Sequence, residues 1–248
     1  MNSTLRRRGI LHVHTAYSDD GVMSVSSLKE FCLARGISFV CITDHAEDLS
    51  PSDMLNLVRD CDDISDDTFV AIPGIELKLD FNTHILAIGL RELPEDEPLE
   101  AIGAIKALGA LTVLAHPLLL SGYPEPNLLD NIDGIEIWNG SHDGGFFPSP
   151  FVVSLYHSSI IRNKNLLAFG GTDLHKHDQP TRVQVVLNEP NSTDIMQALV
   201  SGNFEIQGRF WRIDSRPDHD KIAAATLKAF YAAYATSKTV RHFLRRLA

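Results

Sequence analysis

The sequence contains no long apolar run. Nothing in it approaches the roughly 18 to 20 consecutive apolar residues that a membrane-spanning helix needs, so no membrane span is expected. The opening stretch MNSTLRRRGI carries arginines with no apolar core behind them and does not read as a signal peptide. Cysteine is scarce: Cys32, Cys41 and Cys61 are odd in number and form no CxxC pair. That argues against a disulfide framework and makes a reducing cytoplasm the expected setting. Positive charge is in deficit, with 22 Lys and Arg against 32 Asp and Glu and a formal net charge of −10. General nucleic-acid coating needs basic surface, so stable nucleic-acid binding is not expected. A phosphate-bearing substrate is still compatible, because clustered carboxylates can hold cations that reverse the local field. There is no GxSxG motif, no internal repeat and no low-complexity tract.

What the sequence does contain is alternation. Apolar or β-branched runs at 9–14, 37–43, 69–77, 83–90, 110–115, 133–138, 166–171 and 182–187 read as strands. Amphipathic segments at about 24–36, 51–64, 97–108, 150–164 and 192–201 read as helices between them, the first ended by Gly36. The stretches 121–131 and 139–150 read as loops. Strands alternating with helices imply βα units, a mainly parallel sheet and, with about seven such units, an α/β barrel. We divide the chain into a barrel domain, 1–216, and a basic helical extension, 217–248. The Ala-rich tail ends in RHFLRRLA and is suited to packing on the body or on another copy in a homo-oligomer.

Histidine is the residue present in excess, at 11 copies, and its placement carries the argument. In ILHVHTAYSDDG, His12 and His14 would share one face of a strand while Leu11 and Val13 share the other. Asp19 and Asp20 follow in the loop. The next strand ends in Asp44 and His45, followed by Glu47 and Asp48; the third carries Glu76, and the fourth opens on His84. Then come His116 in LAHP, Glu136 in GIEIWNG, and Asp173 and His175 in GGTDLHK. At the strand ends of a parallel barrel these groups share one face. Six such histidines and three carboxylates packed together would each carry a desolvation cost of several kcal/mol without cations to offset it. Imidazole and carboxylate are good ligands for zinc, manganese and iron, so we read the set as metal ligands. Asp44 reads as a carboxylate orienting an imidazole, Cys41 and Trp138 as packing, and His142, His157, His219 and His242 as ordinary surface residues.

In their order along the chain, HVHTAYSDDG, ITDHAED, PGIELKL, THILAIGL, LAHP, GIEIWNG and GGTDLHK resemble the motifs of the PHP (polymerase and histidinol phosphatase) superfamily, over residues 9 to about 187. The resemblance implies a distorted seven-stranded (β/α)7 TIM-like barrel holding two or three divalent ions (Mn, Zn or Fe). It implies phosphoester hydrolysis by a metal-bridging hydroxide. Carried over by position, His12, His14, Glu76 and Asp173 match the ligands of a first metal. Glu76 matches the carboxylate bridging to a second metal, whose other ligands are His84 and His116. Asp19, His45 and His175 match the ligands of a third, with Asp20 as the competing choice to Asp19. Glu76, Asp173 and His175 are then the catalytic set. Lys78, Lys176, His177 and Arg182 are candidates by position for holding substrate phosphate, with Arg209 or Arg212 reaching from the tail. No large insertion separates the strand of His84 from His116, and no polymerase domain is present. The expected function is a stand-alone phosphoesterase acting on a small phosphorylated molecule, a phosphomonoester or a nucleotide. Metal-dependent amide or ester hydrolysis and a non-catalytic metal-binding scaffold are the alternatives.

Overall fold

The apolar runs become strands in the order in which the sequence sets them out. The computed structural model describes residues 6–80, 83–94, 98–117, 124–143, 145–189 and 194–218. Its strands are β1 (Arg8–Val13), β2 (Phe39–Ile42), β3 (Asp44–His45), β4 (Val70–Ile72), β5 (Gly74–Asp80), β6 (Thr83–Ile88), β7 (Leu111–Leu114), β8 (Gly134–Asn139), β9 (Leu167–Gly171), β10 (Gln184–Leu187), β11 (Phe204–Gln207) and β12 (Arg212–Asp214). The helices are α1 (Val25–Leu33), α2 (Pro51–Ile64), α3 (Pro98–Ala107), α4 (Pro126–Asn131), α5 (Pro150–Ile160) and α6 (Ile195–Ser201). Their boundaries follow local chemistry. The Ser24 hydroxyl accepts from the Ser27 N–H ahead of α1. Ser50 and Asp53 form a reciprocal capping box around Pro51 at the start of α2. Gly202, at φ +71°, ends α6 in the left-handed conformation that glycine adopts without strain.

The fold is mixed α/β, with strands paired in the orders β12-β11-β10-β1-β2-β4 and β3-β5-β6-β7-β8-β9. A mainly parallel sheet is not what forms: five strand pairings are parallel and five antiparallel. The reason is loop length. Two residues join β5 to β6, which suffices for a hairpin but not for a parallel crossover. Within the described residues the pairings make two six-stranded sheets and not one closed ring. The sheets meet where Thr172 N–H donates to Leu11 O, Leu174 N–H to His12 O and His14 N–H to Leu174 O. Two further expectations change. The stretch 121–131, read as a loop, contains α4, and β11 and β12 were not foreseen. Residues 219–248, with the expected basic helix, His219 and His242, lie outside the described residues. No helix among the described residues is long and apolar enough to cross a membrane, and all three cysteines are free and buried.

The sheets are buried on both faces, which is why their strands read as nearly continuous apolar runs. Ile10, Val13, Val40 and Ile42 pack with Leu28 and Phe31 of α1 and Met54 and Leu57 of α2. Leu11, Phe39 and Cys41 belong instead to the core that contains Ile85, Val113, Ile135 and Phe169. Leu11 and Val13 therefore do not share a face, as strict alternation required. In β1 the register shifts between Ile10, paired with Val40, and Val13, paired with Ile42. Leu11 and His12 together oppose one residue of β2, and His12 takes φ +61°. This is a β-bulge, which re-aims side chains at the cost of local ladder hydrogen bonds.

Candidate metal centre

The bulge in β1 turns His12 and His14 into the same interior space, with ring centroids 5.2 Å apart and neither ring exposed. Glu76, the third residue of β5, occupies the middle of that space and is 2% exposed. Its two oxygens divide the surrounding imidazoles. Oε2 lies 3.4 Å from His12 Nε2, 3.3 Å from His14 Nε2 and 3.3 Å from His45 Nδ1. Oε1 lies 2.8 Å from His84 Nδ1 and 3.1 Å from His116 Nε2. His84 reaches the site from the start of its strand because β6 runs antiparallel to β5, with Lys78 opposite it in the register. Asp173, two residues beyond β9, places Oδ1 3.4 Å from His12 Nε2 and 3.7 Å from both His14 Nε2 and His175 Nδ1.

Three groups of side chains have ligand atoms close enough to share an ion: His12, Glu76 and His116; His12, His14 and Asp173; and His14, Asp20, His45 and His175. Two ligands on one tetrahedral zinc, each about 2.0 Å from it, stand about 3.3 Å apart. Several of the separations around Glu76 Oε2 and Asp173 Oδ1 fall at that value, beyond the usual 2.7–3.2 Å of a hydrogen bond. His14 Nε2 and His84 Nε2 are, in addition, buried without any hydrogen-bond partner. The His14 nitrogen, facing Glu76 Oε2 and Asp173 Oδ1, fits a divalent cation.

Eight of the nine ligands expected from sequence are brought together; Asp19 is the exception. Asp20 Oδ2 lies 3.0 Å from His175 Nε2 and 3.5 Å from His45 Nε2. The Asp19 amide is held by Asp48 Oδ2 at 2.9 Å, and Gly21 N–H closes a turn onto Ser18 O that delivers Asp20 to the cluster. Gly21 is required there, since a Cβ on it would lie 2.0 Å from Thr15 O.

Buried groups next to the ligands fix their orientation. Glu136, 1% exposed on β8, accepts from His12 Nδ1 at 3.1 Å, from the His116 amide at 2.7 Å and from Asn139 Nδ2 at 3.0 Å. The first contact commits the His12 Nε2 lone pair to the side of Glu76 and Asp173. Asp44 does not touch an imidazole directly, as the sequence suggested. It accepts from Thr15 N–H, the Thr15 hydroxyl and the Ser18 hydroxyl at 2.6, 2.7 and 2.8 Å, and Ser18 Oγ in turn accepts from the His45 amide and stands 3.5 Å from His14 Nδ1. His142, read as a surface residue, is a correction: its Nε2 lies 2.8 Å from Asp173 Oδ2, and its ring centroid lies 5.4 Å from that of His116. It follows β8 by three residues, so its signal was one more imidazole just beyond a strand end. His157 is on α5.

The backbone bears the cost of this convergence. His12, His116 and Asp173 are the described non-glycine residues with positive φ, at +61°, +25° and +53°. Strain of this kind costs of the order of 1–3 kcal/mol per residue and persists only where the surroundings over-determine it. At Gly171 a Cβ would stand 1.6 Å from Glu136 Oε1 and 3.0 Å from His12 Cβ, so a larger residue would expel the carboxylate that orients His12.

Without metal, protons share the site out. Burial opposes charging His12, but Asp173, Glu136 and Glu76 outweigh it and hold the imidazole well above its ordinary value. The hydrogen bond to Glu76 pushes His45 up to about 9, and that to Asp173 raises His142. Burial lowers His14. Against their own burial, Glu76, Glu136 and Asp173 are all depressed, chiefly by His12.

Of the substrate candidates, Lys78, Lys176, His177 and Arg182 are exposed. Lys78 lies two residues beyond Glu76 on β5 and hence on the same face. Arg182 packs against Gly145 and lines a separate cavity.

The PHP domain family model matches residues 11–234, further along the chain than the motifs alone suggested. No curated protein matches the sequence. Among solved structures, a two-domain protein from Bacteroides vulgatus, described as containing a predicted PHP-like metal-dependent phosphoesterase, superposes with a TM-score of 0.63 at 19% identity, over 84% of this chain. The match covers 66% of that protein, so the chain spans just under two-thirds of it. PsfC from Pseudomonas syringae superposes with a TM-score of 0.61 at 16% identity, over 91% of this chain and 99% of its own.

Proposed function

Since the chain belongs to the PHP domain family, we propose that it is a metal-dependent phosphoesterase that hydrolyses a small phosphorylated substrate. The observation that carries this reading is the division of labour at Glu76. One oxygen faces His84 and His116 and the other faces His12, His14 and His45, as a carboxylate shared between neighbouring cations would. We read the two sheets as halves of a distorted (β/α)7 barrel, supported by the hydrogen bonds from Thr172 and Leu174 to β1.

In this reading His12, His14, Glu76 and Asp173 hold one ion, Glu76, His84 and His116 a second, and Asp20, His45 and His175 a third. Manganese, zinc and iron all suit this donor set. Bound divalent ions would take up charge on the phosphoryl oxygens and bring the pKa of a water toward neutrality. The protein's part is positioning. Glu136 holds the His12 tautomer, Asp44 and Ser18 hold the loop carrying His14 and Asp20, and His142 anchors the outer oxygen of Asp173. Because these contacts exist before substrate arrives, little reorganisation remains for the reaction itself.

The direct test is phosphate release from a generic aryl phosphate with added Mn²⁺, alongside metal analysis of the purified protein. Two or three equivalents of metal and metal-dependent release are expected. A chain that takes up no Mn²⁺, Zn²⁺ or Fe²⁺, or one that binds metal without releasing phosphate, would overturn the reading. Glu136→Gln tests the positioning argument. It keeps the shape but weakens the acceptor for His12, and metal affinity should fall by about 10- to 100-fold, the usual effect of removing such a partner. Gly171→Ala should act in the same direction. Competition with a chromophoric chelator reads both, and unchanged affinity in Glu136→Gln would remove that residue from the account.

A further inference from the structure

A second polar cavity, of about 310 Å³, is lined by Arg8, Gly145, Phe146, Arg182, Gln184, Gln207, Gly208 and Arg209. Its charge is unusual for a chain with a net charge of −10. Arg8, Arg182 and Arg209 form no ion pair among the described residues, and no carboxylate is among the lining side chains. The nearby Glu205 is already engaged by Arg6 at 2.9 Å and by Arg212 at 4.0 Å. Three guanidiniums gathered at one cavity repel one another unless an anion sits between them.

Aromatic surface lies at the same place. Phe146 and Phe210 are 49% and 69% exposed, with ring centroids 6.1 Å apart, and the Arg209 guanidinium lies 5.2 Å from the centre of the Phe210 ring. Exposed phenylalanines side by side are uncommon on a solvated face and mark contact with a flat apolar group.

The topology turns the Gly208–Arg209 side of this cavity toward the metal end of the molecule, while Arg8 lines it from the start of β1. β10 is antiparallel to β1 and β11 antiparallel to β10, so β11 runs in the direction of β1. Its terminal turn, Gly208–Arg209, faces the end where β1 delivers His12 and His14. From the other side, Arg209 N–H donates to Gly145 O, three residues beyond His142, which binds Asp173.

We propose that this cavity is an anion-binding site, distinct from the metal centre, for a phosphate-type group carried on a flat, apolar molecule. Arg182 and Arg209 grip the oxygens and the Phe146–Phe210 pair receives the ring. Arginine suits this task, because its planar fork binds phosphoryl oxygens two at a time. The inference stands on the arginines and the cavity, independently of whether the metal centre hydrolyses phosphoesters.

Phenylphosphonate, which has no phosphoester bond to hydrolyse, is the probe. Trp138 and Trp211 are the reporters, since Gly208 packs on the Trp138 ring and donates its N–H to Trp211 O. A saturable fluorescence change is expected in the wild-type chain and, with similar affinity, in Glu76→Gln. Binding should weaken about tenfold or more in Arg182→Ala and in Arg209→Ala, in line with the loss of a charge-assisted hydrogen bond. Inorganic phosphate should bind more weakly than phenylphosphonate. Circular dichroism checks folding, and Arg182→Gln and Arg209→Gln replace any alanine variant that does not fold. Absence of binding, equal affinity in the arginine variants, or loss of binding only in Glu76→Gln would overturn the proposal. The last result would place the anion at the metals and leave the phosphoesterase reading standing. Failure of aryl phosphate hydrolysis with arginine-dependent binding intact would do the reverse.

Discussion

Glu76→Gln should lose more than about a hundredfold in hydrolysis, and its metal content should fall with it. Removing a partner that only orients a ligand costs about 10- to 100-fold, and Glu76 stands nearer to the chemistry than such a partner. Its carboxylate faces five imidazoles, two at Oε1 and three at Oε2. The neutral amide is nearly isosteric but presents an N–H on one side, which repels a cation and leaves one set of imidazoles without its shared anion. Asp20→Asn makes the contrast. Asp20 is half-exposed and, among the described residues, pairs with His45 and His175, so its loss should cost far less. Metal analysis and aryl phosphate turnover on the two variants decide the matter, and equal losses in both would show that Glu76 does not bridge.

How much of this was legible in the sequence depended on whether a residue's role was local. Most strands followed from apolar runs, though β11 and β12 did not, and the α2 boundaries, 51–64, could be read from its capping box and Pro51. The candidate ligands could be picked out because His12, His14, His45, His116 and Asp173 each stand at or just past a strand end. Three things were not. The bulge at Leu11–His12 breaks the two-residue period, and nothing in ILHVH marks the αL residue. Asp20 and not Asp19 reaches the cluster because Asp48, 29 positions away, holds the Asp19 amide. His142 joins Asp173 across 31 positions, through a loop whose path is set by Asn139 and Ser141. In each case the deciding contact is tertiary. The even mixture of parallel and antiparallel pairing was missed for a simpler reason: strand candidates were counted without weighing the two-residue link between β5 and β6.

Metal removal should turn the stability of the chain into a steep function of pH, with the opposite slope to that of the loaded protein. His12, His45 and His142 have folded pKa values above the ordinary 6.5. Their protonated forms therefore stabilise the metal-free fold fully below pH 6.5, and that contribution is lost as pH rises through the folded values, for His45 between 6.5 and about 9. Glu76, Glu136 and Asp173 are depressed, so their contribution is present above their ordinary values of 4.5, 4.5 and 3.8 and fades only in stronger acid. His14, lowered by burial, acts in the opposite sense below 6.5, one group against three. The metal-free chain should thus melt highest between about pH 4.5 and 6.5 and progressively lower toward pH 9. Divalent ions displace the same protons, so their affinity rises over the window in which the metal-free chain weakens. With free metal at about 1,000 times Kd the gain is about 4 kcal/mol, or about 8–16 °C in Tm for a chain of this size. Thermal melts with and without chelator at pH 5.5, 7 and 9 would show the two curves diverging with pH. Parallel curves would mean that the cation does not occupy the carboxylate–imidazole cluster, whatever else it binds.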